Sequence, residues 1–214
     1  MSTPTHTLAL ADTMVIFDWN GTVVLDADRA RASLNSVLAA RSLERLNTEQ
    51  FAQRFRLPMG SMFLDLGVHP LNLAEAEADW NFQMTQAATS LRDGANEAFV
   101  ELSEAGAWLG VVSAASPTAV DFDRRSLFVA PVLNAMDAGI TDKAAHLTKA
   151  RGRRARAYYV GDTAYDMRSA TAAGFIPIGV SGGYSPEEVL REAGAFCIVD
   201  SLKQLLAIVS PLHS

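Results

Sequence analysis

The strongest candidates for catalytic or ligand-binding residues lie in the stretch MVIFDWNGTVV, which runs from Met14 to Val24. Its apolar run ends at an aspartate, Asp18, and an amide, Asn20, follows two positions later. A carboxylate at the end of a buried strand can bind a cation or attack phosphorus. A lone aspartate in such a place is more often a turn or cap residue. The meaning of Asp18 therefore depends on the polar residues that accompany it.

Further polar side chains follow other apolar runs of the chain. Ser113 comes directly after one run, Lys143 follows the next, and Asp162 and Asp166 follow a third. Each has a simple structural explanation by itself, as a helix cap or a surface residue. Ligands of open parallel sheets bind beyond the carboxyl ends of the strands, which share one edge. The order of these residues therefore predicts that they converge there, where three acids suit Mg²⁺ and a lysine and a hydroxyl suit phosphate.

Six nearly continuous apolar runs predict strands that are covered on both faces. They are Met14–Phe17, Trp108–Val112, Val132–Ala135, Ala157–Val160, Phe175–Val180 and Ala195–Val199. Helical patterns separate the runs, and Gly106, Gly174 and Gly194 each stand between a helical pattern and a strand, the usual position of a left-handed C-cap. The alternation predicts an α/β fold with a doubly wound parallel sheet, a Rossmann-like core.

One segment departs from this alternation, because residues 26–91 show helical patterns and no strand pattern. The predicted helices are Asp26–Arg41, a helix capped by Asn47 that runs through Phe55, and a helix from Asn72 to about Ser90. This predicts a second, smaller, all-helical cap domain over residues 26–91. Residues 13–25 and 92–214 then form the core, and residues 1–12 are expected to be a loose N-terminal leader.

The bulk composition disfavours several classes of partner. The net charge is -6 and the pI is near 5.2, which gives no field that would attract a nucleic acid. No stretch approaches the roughly 18 apolar residues of a membrane helix, and no signal-peptide pattern is visible. The single cysteine, Cys197, permits no intramolecular disulfide. We expect a cytoplasmic monomer or homodimer that binds neither nucleic acid nor membrane.

Together the motifs resemble those of the haloacid dehalogenase superfamily. Asp18-Trp19-Asn20-Gly21-Thr22 is similar to its first motif, usually Asp-x-Asp-Gly-Thr, and Val111-Val112-Ser113 is similar to the second. Lys143 resembles the third motif, although no proline follows it, and Gly161-Asp162-x-x-x-Asp166 resembles the fourth. Leu91-Arg92-Asp93-Gly94-Ala95 and Gly182-Gly183-Tyr184 are similar to the phosphoglycolate-phosphatase-like branch, whose helical cap is inserted after the first motif. The resemblance covers residues 14–210.

The resemblance implies a Mg²⁺-dependent phosphatase that acts on a small phosphorylated metabolite through an aspartyl-phosphate on Asp18. It assigns Mg²⁺ to Asp18, Asp162 and the backbone carbonyl of Asn20, with Asp166 holding metal-bound water or Lys143. The phosphate would be bound by Ser113, Lys143 and the backbone N–H groups of Asn20, Gly21 and Ala114, while Thr22 braces the loop.

The amide at position 20 departs from the family pattern, because the second acid of the first motif normally protonates the leaving oxygen and activates water. An amide has no proton to exchange at neutral pH, so Asn20 cannot do this. Three explanations remain open: a phosphatase for good leaving groups or with an acid borrowed from the cap, a phosphonatase, or a silent phosphate binder. The phosphonatase needs a cap lysine, and residues 26–91 contain none. Replacing Asn20 by aspartate is predicted to speed the hydrolysis of esters with poor leaving groups.

The cap offers candidate substrate contacts, namely Arg54, Arg56, His69 and Trp80. The two arginines would suit a second anionic group on a small phosphorylated acid or sugar. Their simpler explanations are strong, since exposed arginines are usually solvated and a tryptophan in a helical segment usually belongs to its core.

Overall fold

The structure, a computed structural model, describes residues 9–56 and 58–210. Within them, six parallel strands form one sheet in the order β5-β4-β1-β6-β7-β8, and two short strands pair separately. The strands are β1 (Thr13–Phe17), β2 (Val24–Leu25), β3 (Ser90–Leu91), β4 (Trp108–Val112), β5 (Ala135–Asp137), β6 (Arg156–Gly161), β7 (Ile176–Val180) and β8 (Cys197–Val199).

The helices follow the strands in alternation, except for four that stand together after β2. They are α1 (Ala27–Ala40), α2 (Thr48–Arg54), α3 (Met59–Asp65), α4 (Leu73–Gln83), α5 (Ala95–Glu104), α6 (Pro117–Ser126), α7 (Lys143–Ala150), α8 (Ala164–Ala172), α9 (Glu187–Glu192) and α10 (Leu205–Val209). Single 3-10 turns occur at Pro70–Asn72, Arg151–Arg153 and Leu202–Gln204.

The central strand β1 is covered on both faces, as its continuous apolar run predicts. Val15 and Phe17 belong to a cluster that includes residues of α5, α6 and α10. Met14 and Ile16 point the other way, into a cluster with residues of α7 and α8. Because successive side chains of a strand alternate between faces, only a strand with helices on both sides needs every residue to be apolar. The predicted doubly wound parallel sheet is confirmed.

The sequence predicts a strand at Val132–Ala135, whereas β5 spans Ala135–Asp137 and this prediction was wrong by about three residues. Val132 and Leu133 lie in a loop and pack against the core. Their apolar side chains therefore reflect burial and not membership of a strand. Asn134 exchanges hydrogen bonds with the backbone of Leu109 through its main chain and its side chain, and regular pairing begins only after it.

The segment predicted to lack strands contains one, because β3 pairs antiparallel with β2. Thr89 donates a hydrogen bond to the carbonyl of Leu25 at 2.5 Å, beside this two-stranded ribbon. Helix α4 accordingly ends at Gln83 and does not reach Ser90, since the chain must be extended to pair. Two-residue strands carry too little periodicity to be read from a sequence.

Helices α1 to α4 share a hydrophobic cluster, which includes Leu34, Phe63 and Trp80 and extends to Ala119 of α6. Helix α2 begins with the capping box predicted at Asn47, whose side chain accepts from the backbone of Gln50 while the Gln50 side chain accepts from the backbone of Asn47. We propose that residues 26–91 form a cap on the core made by residues 13–25 and 92–214.

The predicted loose leader lies mostly outside the described residues, and its described end is attached to the core. Leu10 is fully buried and its N–H donates to the carbonyl of Ala105. Asp12 pairs with Arg156 at 2.7 Å. The loose leader therefore does not extend to residue 12. None of the described helices is long and apolar enough to cross a membrane.

Candidate active site

Two neighbouring strands bring the first and fourth motifs together. Asp18 follows β1, and its N–H continues the pairing with β6 by donating to the carbonyl of Val160 at 2.8 Å. Asp162 follows the end of β6, and Asp166 lies in the first turn of α8. Carboxylate oxygens of Asp18, Asp162 and Asp166 lie within 4.8 Å of one another, and all three residues are buried. The predicted convergence of these acids is present in the structure.

Lys143 supplies the positive charge of the cluster. It is the first residue of α7, where Asp142 caps the helix, and it is only 2% exposed. Its Nζ lies 2.6 Å from Asp166 Oδ1 and 2.8 Å from Asp18 Oδ1. Burial disfavours the charged amine, but the carboxylates of Asp166 and Asp18 outweigh this and hold the pKa of Lys143 well above its usual value. Lys143 is therefore a fixed cation between two acids.

Hydrogen bonds from the surrounding loops fix the two acids of the fourth motif. Asp162 accepts from the Thr22 hydroxyl at 2.8 Å and from the Tyr184 N–H at 2.7 Å, one on each oxygen. Asp166 accepts from the backbone N–H of Thr163 at 3.0 Å, as part of a capping box. Asp166 therefore both caps helix α8 and holds Lys143 by an ion pair.

The electrostatics of the cluster favour a bound cation. Three carboxylates share one ammonium group, and burial raises the pKa of Asp18 to about 6. Burial, and then the charges of Asp166 and Asp18, raise the pKa of Asp162 well above its usual value. Asp18 Oδ1 is buried, and among the described residues only the Lys143 ammonium, 2.8 Å away, reaches it. A hard divalent cation would relieve this excess of negative charge, and the all-oxygen donor set fits one.

Ser113 and Ala114 occupy the edge next to Asp18, because β4 pairs with β1. Ser113 is 1% exposed, and its hydroxyl accepts from the N–H of Ala115 at 3.2 Å. An accepted bond leaves the hydroxyl proton available for another acceptor. Ser113 therefore lies at the predicted edge and has a donor to offer.

Gly21 turns the chain sharply behind Asp18. Its φ is +73°, and a Cβ at this position would collide with the carboxylate of Asp162. Its N–H donates to the carbonyl of Val24 at 2.8 Å and lies 3.1 Å from Asp26 Oδ1. The structure thus gives the Gly21 N–H two protein acceptors, and the role predicted for it in binding phosphate stays a prediction.

The four candidate substrate contacts between residues 26 and 91 interact with residues outside the carboxylate cluster. Arg56 forms an ion pair with Asp65, and Arg54 lies 3.5 Å from the Asp65 carbonyl. His69 is exposed and accepts from a neighbouring backbone N–H. Trp80 packs in the hydrophobic cluster shared by helices α1 to α4. None of these four residues contacts Asp18, Lys143 or Asp162 through a hydrogen bond or ion pair in the part of the chain that the structure describes.

Three residues that fix the site were not predicted from the sequence. The buried guanidinium of Arg92 donates to the carbonyls of Thr22, Gly21 and Ser181, and so joins the loops after β1 and β7. Asp26 accepts from the N–H of Gly21 and from the Tyr184 hydroxyl. The Tyr184 ring stacks on Phe55 of the cap segment at a centroid distance of 4.5 Å. Only Arg92 and Tyr184 gave a signal, through motifs that the resemblance covers.

Solved structures share this architecture. A haloacid dehalogenase-like hydrolase from Streptococcus pneumoniae superposes with a TM-score of 0.79 at 15% identity, covering 92% of this chain and 98% of that one. A predicted phosphoglycolate phosphatase from Haemophilus somnus gives 0.78 at 18% identity, covering 92% and 97%. CbbY from Rhodobacter sphaeroides, as a mutant in complex with xylulose-(1,5)bisphosphate, gives 0.79 at 22% identity, covering 94% and 100%.

Sequence comparison identifies the family. No curated protein matches the sequence. The family model of haloacid dehalogenase-like hydrolases matches residues 15–138, which include the first and second motifs and the whole helical insertion. The resemblance drawn from the motifs is confirmed, and this chain belongs to the haloacid dehalogenase-like hydrolases.

Proposed function

We propose that this chain is a Mg²⁺-dependent phosphatase that acts on a small phosphorylated metabolite through an aspartyl-phosphate on Asp18. The observation that carries the proposal is the buried cluster in which carboxylate oxygens of Asp18, Asp162 and Asp166 lie within 4.8 Å of one another, with Lys143 2.8 Å from Asp18. One ammonium group does not balance three carboxylates, so the cluster can accept a divalent cation, and Asp18 beside it can attack phosphorus. The complex of CbbY with a sugar bisphosphate supports a small phosphorylated substrate.

The chemistry divides hydrolysis into two displacements at phosphorus. In the first, an oxygen of Asp18 forms a bond to phosphorus, the bond to the leaving oxygen breaks, and that oxygen takes a proton from solvent. In the second, water attacks the same phosphorus, loses a proton, and releases Asp18 and inorganic phosphate. Lys143 and the Ser113 hydroxyl lie where they would neutralise and orient the phosphoryl oxygens, and electrostatic stabilisation of this kind is the largest contribution in phosphoryl transfer.

The residues present fit Mg²⁺. Asp18, Asp162 and the backbone carbonyl of Asn20 would hold it, while Asp166 keeps Lys143 in place. Bound there, Mg²⁺ would neutralise the phosphoryl oxygens and the carboxylates that surround them. All its side-chain ligands are carboxylates, which is the donor type that Mg²⁺ selects over softer ligands.

Asn20 limits the substrates that this site turns over quickly. General acid–base catalysis contributes ~10²–10⁴-fold in rate, and an amide cannot supply it. Substrates whose leaving oxygen needs no proton, such as acyl phosphates and aryl phosphates, lose the least. We therefore propose that the enzyme prefers good leaving groups.

A phosphate binder without turnover is the second candidate, and the amide at position 20 is the observation that favours it. A phosphonatase is disfavoured, because its Schiff-base lysine would stand in the cap and the lysines of this chain are Lys143, Lys149 and Lys203.

An assay of phosphate release separates these possibilities. We expect Mg²⁺-dependent release of phosphate from acetyl phosphate and p-nitrophenyl phosphate, abolished by a chelator and faster than from alkyl phosphates. Calorimetric titration with vanadate in the presence of Mg²⁺ is the companion measurement. Binding of vanadate without any phosphate release across a broad panel would identify a binder and would end the phosphatase proposal.

Magnesium is expected to raise the thermal unfolding temperature more at about pH 8 than at about pH 5. The pKa of Asp18 is raised from 3.8 in the unfolded chain to about 6 in the folded protein. Protonation of Asp18 therefore stabilises the metal-free folded state fully below pH 3.8, and this stabilisation is lost as the pH rises through about 6. Mg²⁺ competes with these protons and replaces them at high pH. An equal shift in unfolding temperature at both pH values, measured by differential scanning fluorimetry, would contradict a metal site at these acids.

A further inference from the structure

The amide nitrogen of the Asn20 side chain forms a hydrogen bond, whereas its amide oxygen forms none among the described residues. Its Nδ2 donates to Oδ2 of Asp26, the residue directly before helix α1. Its Oδ1 is buried and has no hydrogen-bond partner among the described residues. An amide offers two donors and one acceptor oxygen. Asp26 uses one of the two N–H donors of Asn20, and the carbonyl oxygen is the buried atom that is left without a partner.

Asp26 is surrounded by donors. Its Oδ1 accepts from the N–H of Gly21 and from the Tyr184 hydroxyl, both at 3.1 Å, and Arg29 Nη2 lies 3.8 Å from its Oδ2. Asp26 is 1% exposed, so each of these contacts is made without competing water. A carboxylate is the side chain of this size that accepts from all of these donors at once.

The two contacts together fix the orientation of the Asn20 amide. Turning the amide by half a revolution would set Oδ1 of Asn20 against an oxygen of Asp26, with two acceptors in buried contact and no proton between them. Leaving buried polar groups unpaired in this way costs ~1–3 kcal/mol each. The carboxylate of Asp26 therefore selects the amide orientation in which the Asn20 side-chain carbonyl is free to accept a hydrogen bond.

We propose that Asp26 is a positioning residue that holds the Asn20 carbonyl ready to accept a hydrogen bond from the attacking water. The catalytic half of this statement rests on the phosphatase proposed above. Asn20 and Asp26 form a matched amide–carboxylate pair. The carboxylate accepts a hydrogen bond from the amide, and the amide places no second negative charge beside the carboxylate. The water is oriented by an acceptor, and no proton passes to Asn20.

The pair changes what Asn20→Asp does. From the first motif alone this substitution restores an acid, but beside an unchanged Asp26 it creates two buried carboxylates in contact. One of them must take up a proton or the protein loses stability. Exchanging both residues, as Asn20→Asp with Asp26→Asn, keeps one amide and one carboxylate in contact and leaves the carboxylate at position 20.

A double-mutant cycle tests the pair. The two single variants and the exchanged double variant are compared with the wild type by denaturant unfolding without metal at about pH 8, and by kcat and KM for p-nitrophenyl phosphate with Mg²⁺. We expect each single variant to lower the folding equilibrium constant, and the double variant to recover at least about tenfold relative to additivity. We expect Asp26→Asn to lower kcat by about tenfold or more with little change in KM, and the double variant to recover kcat.

The matched control is Asp28→Asn, which changes an acid in the first turn of α1 whose side chain is 94% exposed, and we expect it to alter neither readout. Additive effects on stability, or an Asn20→Asp variant that is both stable and faster than the wild type, would overturn the pair. If no variant and no wild-type protein releases phosphate, the phosphatase proposal and the catalytic half fail, while the unfolding cycle still decides whether the pair exists. If the wild type is active and the cycle is additive, the inference fails alone.

Discussion

Replacing Asp18 by asparagine is expected to lower the rate of phosphate release by at least about 10⁴-fold, because the amide cannot form the bond to phosphorus. The loss should appear in kcat at saturating Mg²⁺ and substrate. We expect no phosphorylated enzyme in this variant. Stopped assays with acetyl phosphate, corrected for spontaneous hydrolysis, measure the effect.

The fold should survive this substitution. Burial raises the pKa of Asp18, so its charge opposes folding of the metal-free protein at neutral pH, and Asp166 still pairs with Lys143 in the variant. Asp137→Asn is a matched control, since Asp137 also ends a strand of the sheet but its carboxylate pairs with His146. Activity that persists in Asp18→Asn, or an equal loss in Asp137→Asn, would contradict the assignment of the nucleophile.

Replacing Asp123 by alanine is expected to lower the free energy of unfolding by about 3–5 kcal/mol, the cost of leaving a buried charge without its partner. Asp123 lies on α6, and it accepts two hydrogen bonds from Arg29 of α1, at 2.5 and 2.8 Å. Both residues are almost fully buried. The Trp19 indole N–H also donates to Asp123, at 3.2 Å. The loss is a large part of the 5–15 kcal/mol that stabilises an ordinary domain.

Two comparisons separate the unpaired charge from other effects. Asp121→Ala removes an acid of the same helix whose carboxylate pairs with Arg124 and Arg125 in contact with solvent, and we expect little change in stability. Arg29→Met combined with Asp123→Leu replaces the ion pair by apolar groups and should recover most of the loss. Denaturant unfolding measures all three. A double variant as unstable as Asp123→Ala would show that the cost is one of packing and not of charge.

The parts of the fold that the sequence predicts are those with a local cause. The run that ends at Phe17 is apolar at every position because both faces of β1 are covered, and Gly106, Gly174 and Gly194 all have positive φ. The short ribbon of β2 and β3 has no such cause, since it pairs Val24 with Leu91, 67 positions away along the chain.

The same distinction applies to the site. Asp18, Lys143 and Asp162 are predictable because each belongs to a motif at a strand end or helix start. Asp123 is not, because its partners Arg29 and Trp19 are 94 and 104 residues away and nothing near it in sequence indicates a buried ion pair. Asp26 lies only six residues from Asn20, yet their contact depends on a turn whose path the sequence does not specify.

Rapid acid quenching of the enzyme during turnover of acetyl phosphate, followed by peptide mass spectrometry, tests the central claim most directly. We predict a phosphoryl group on Asp18 that forms with Mg²⁺, is absent without it, and is lost on treatment with hydroxylamine as an acyl phosphate should be. Steady release of phosphate by an enzyme whose Asp18 never carries a phosphoryl group, or a phosphoryl group on another residue, would contradict it.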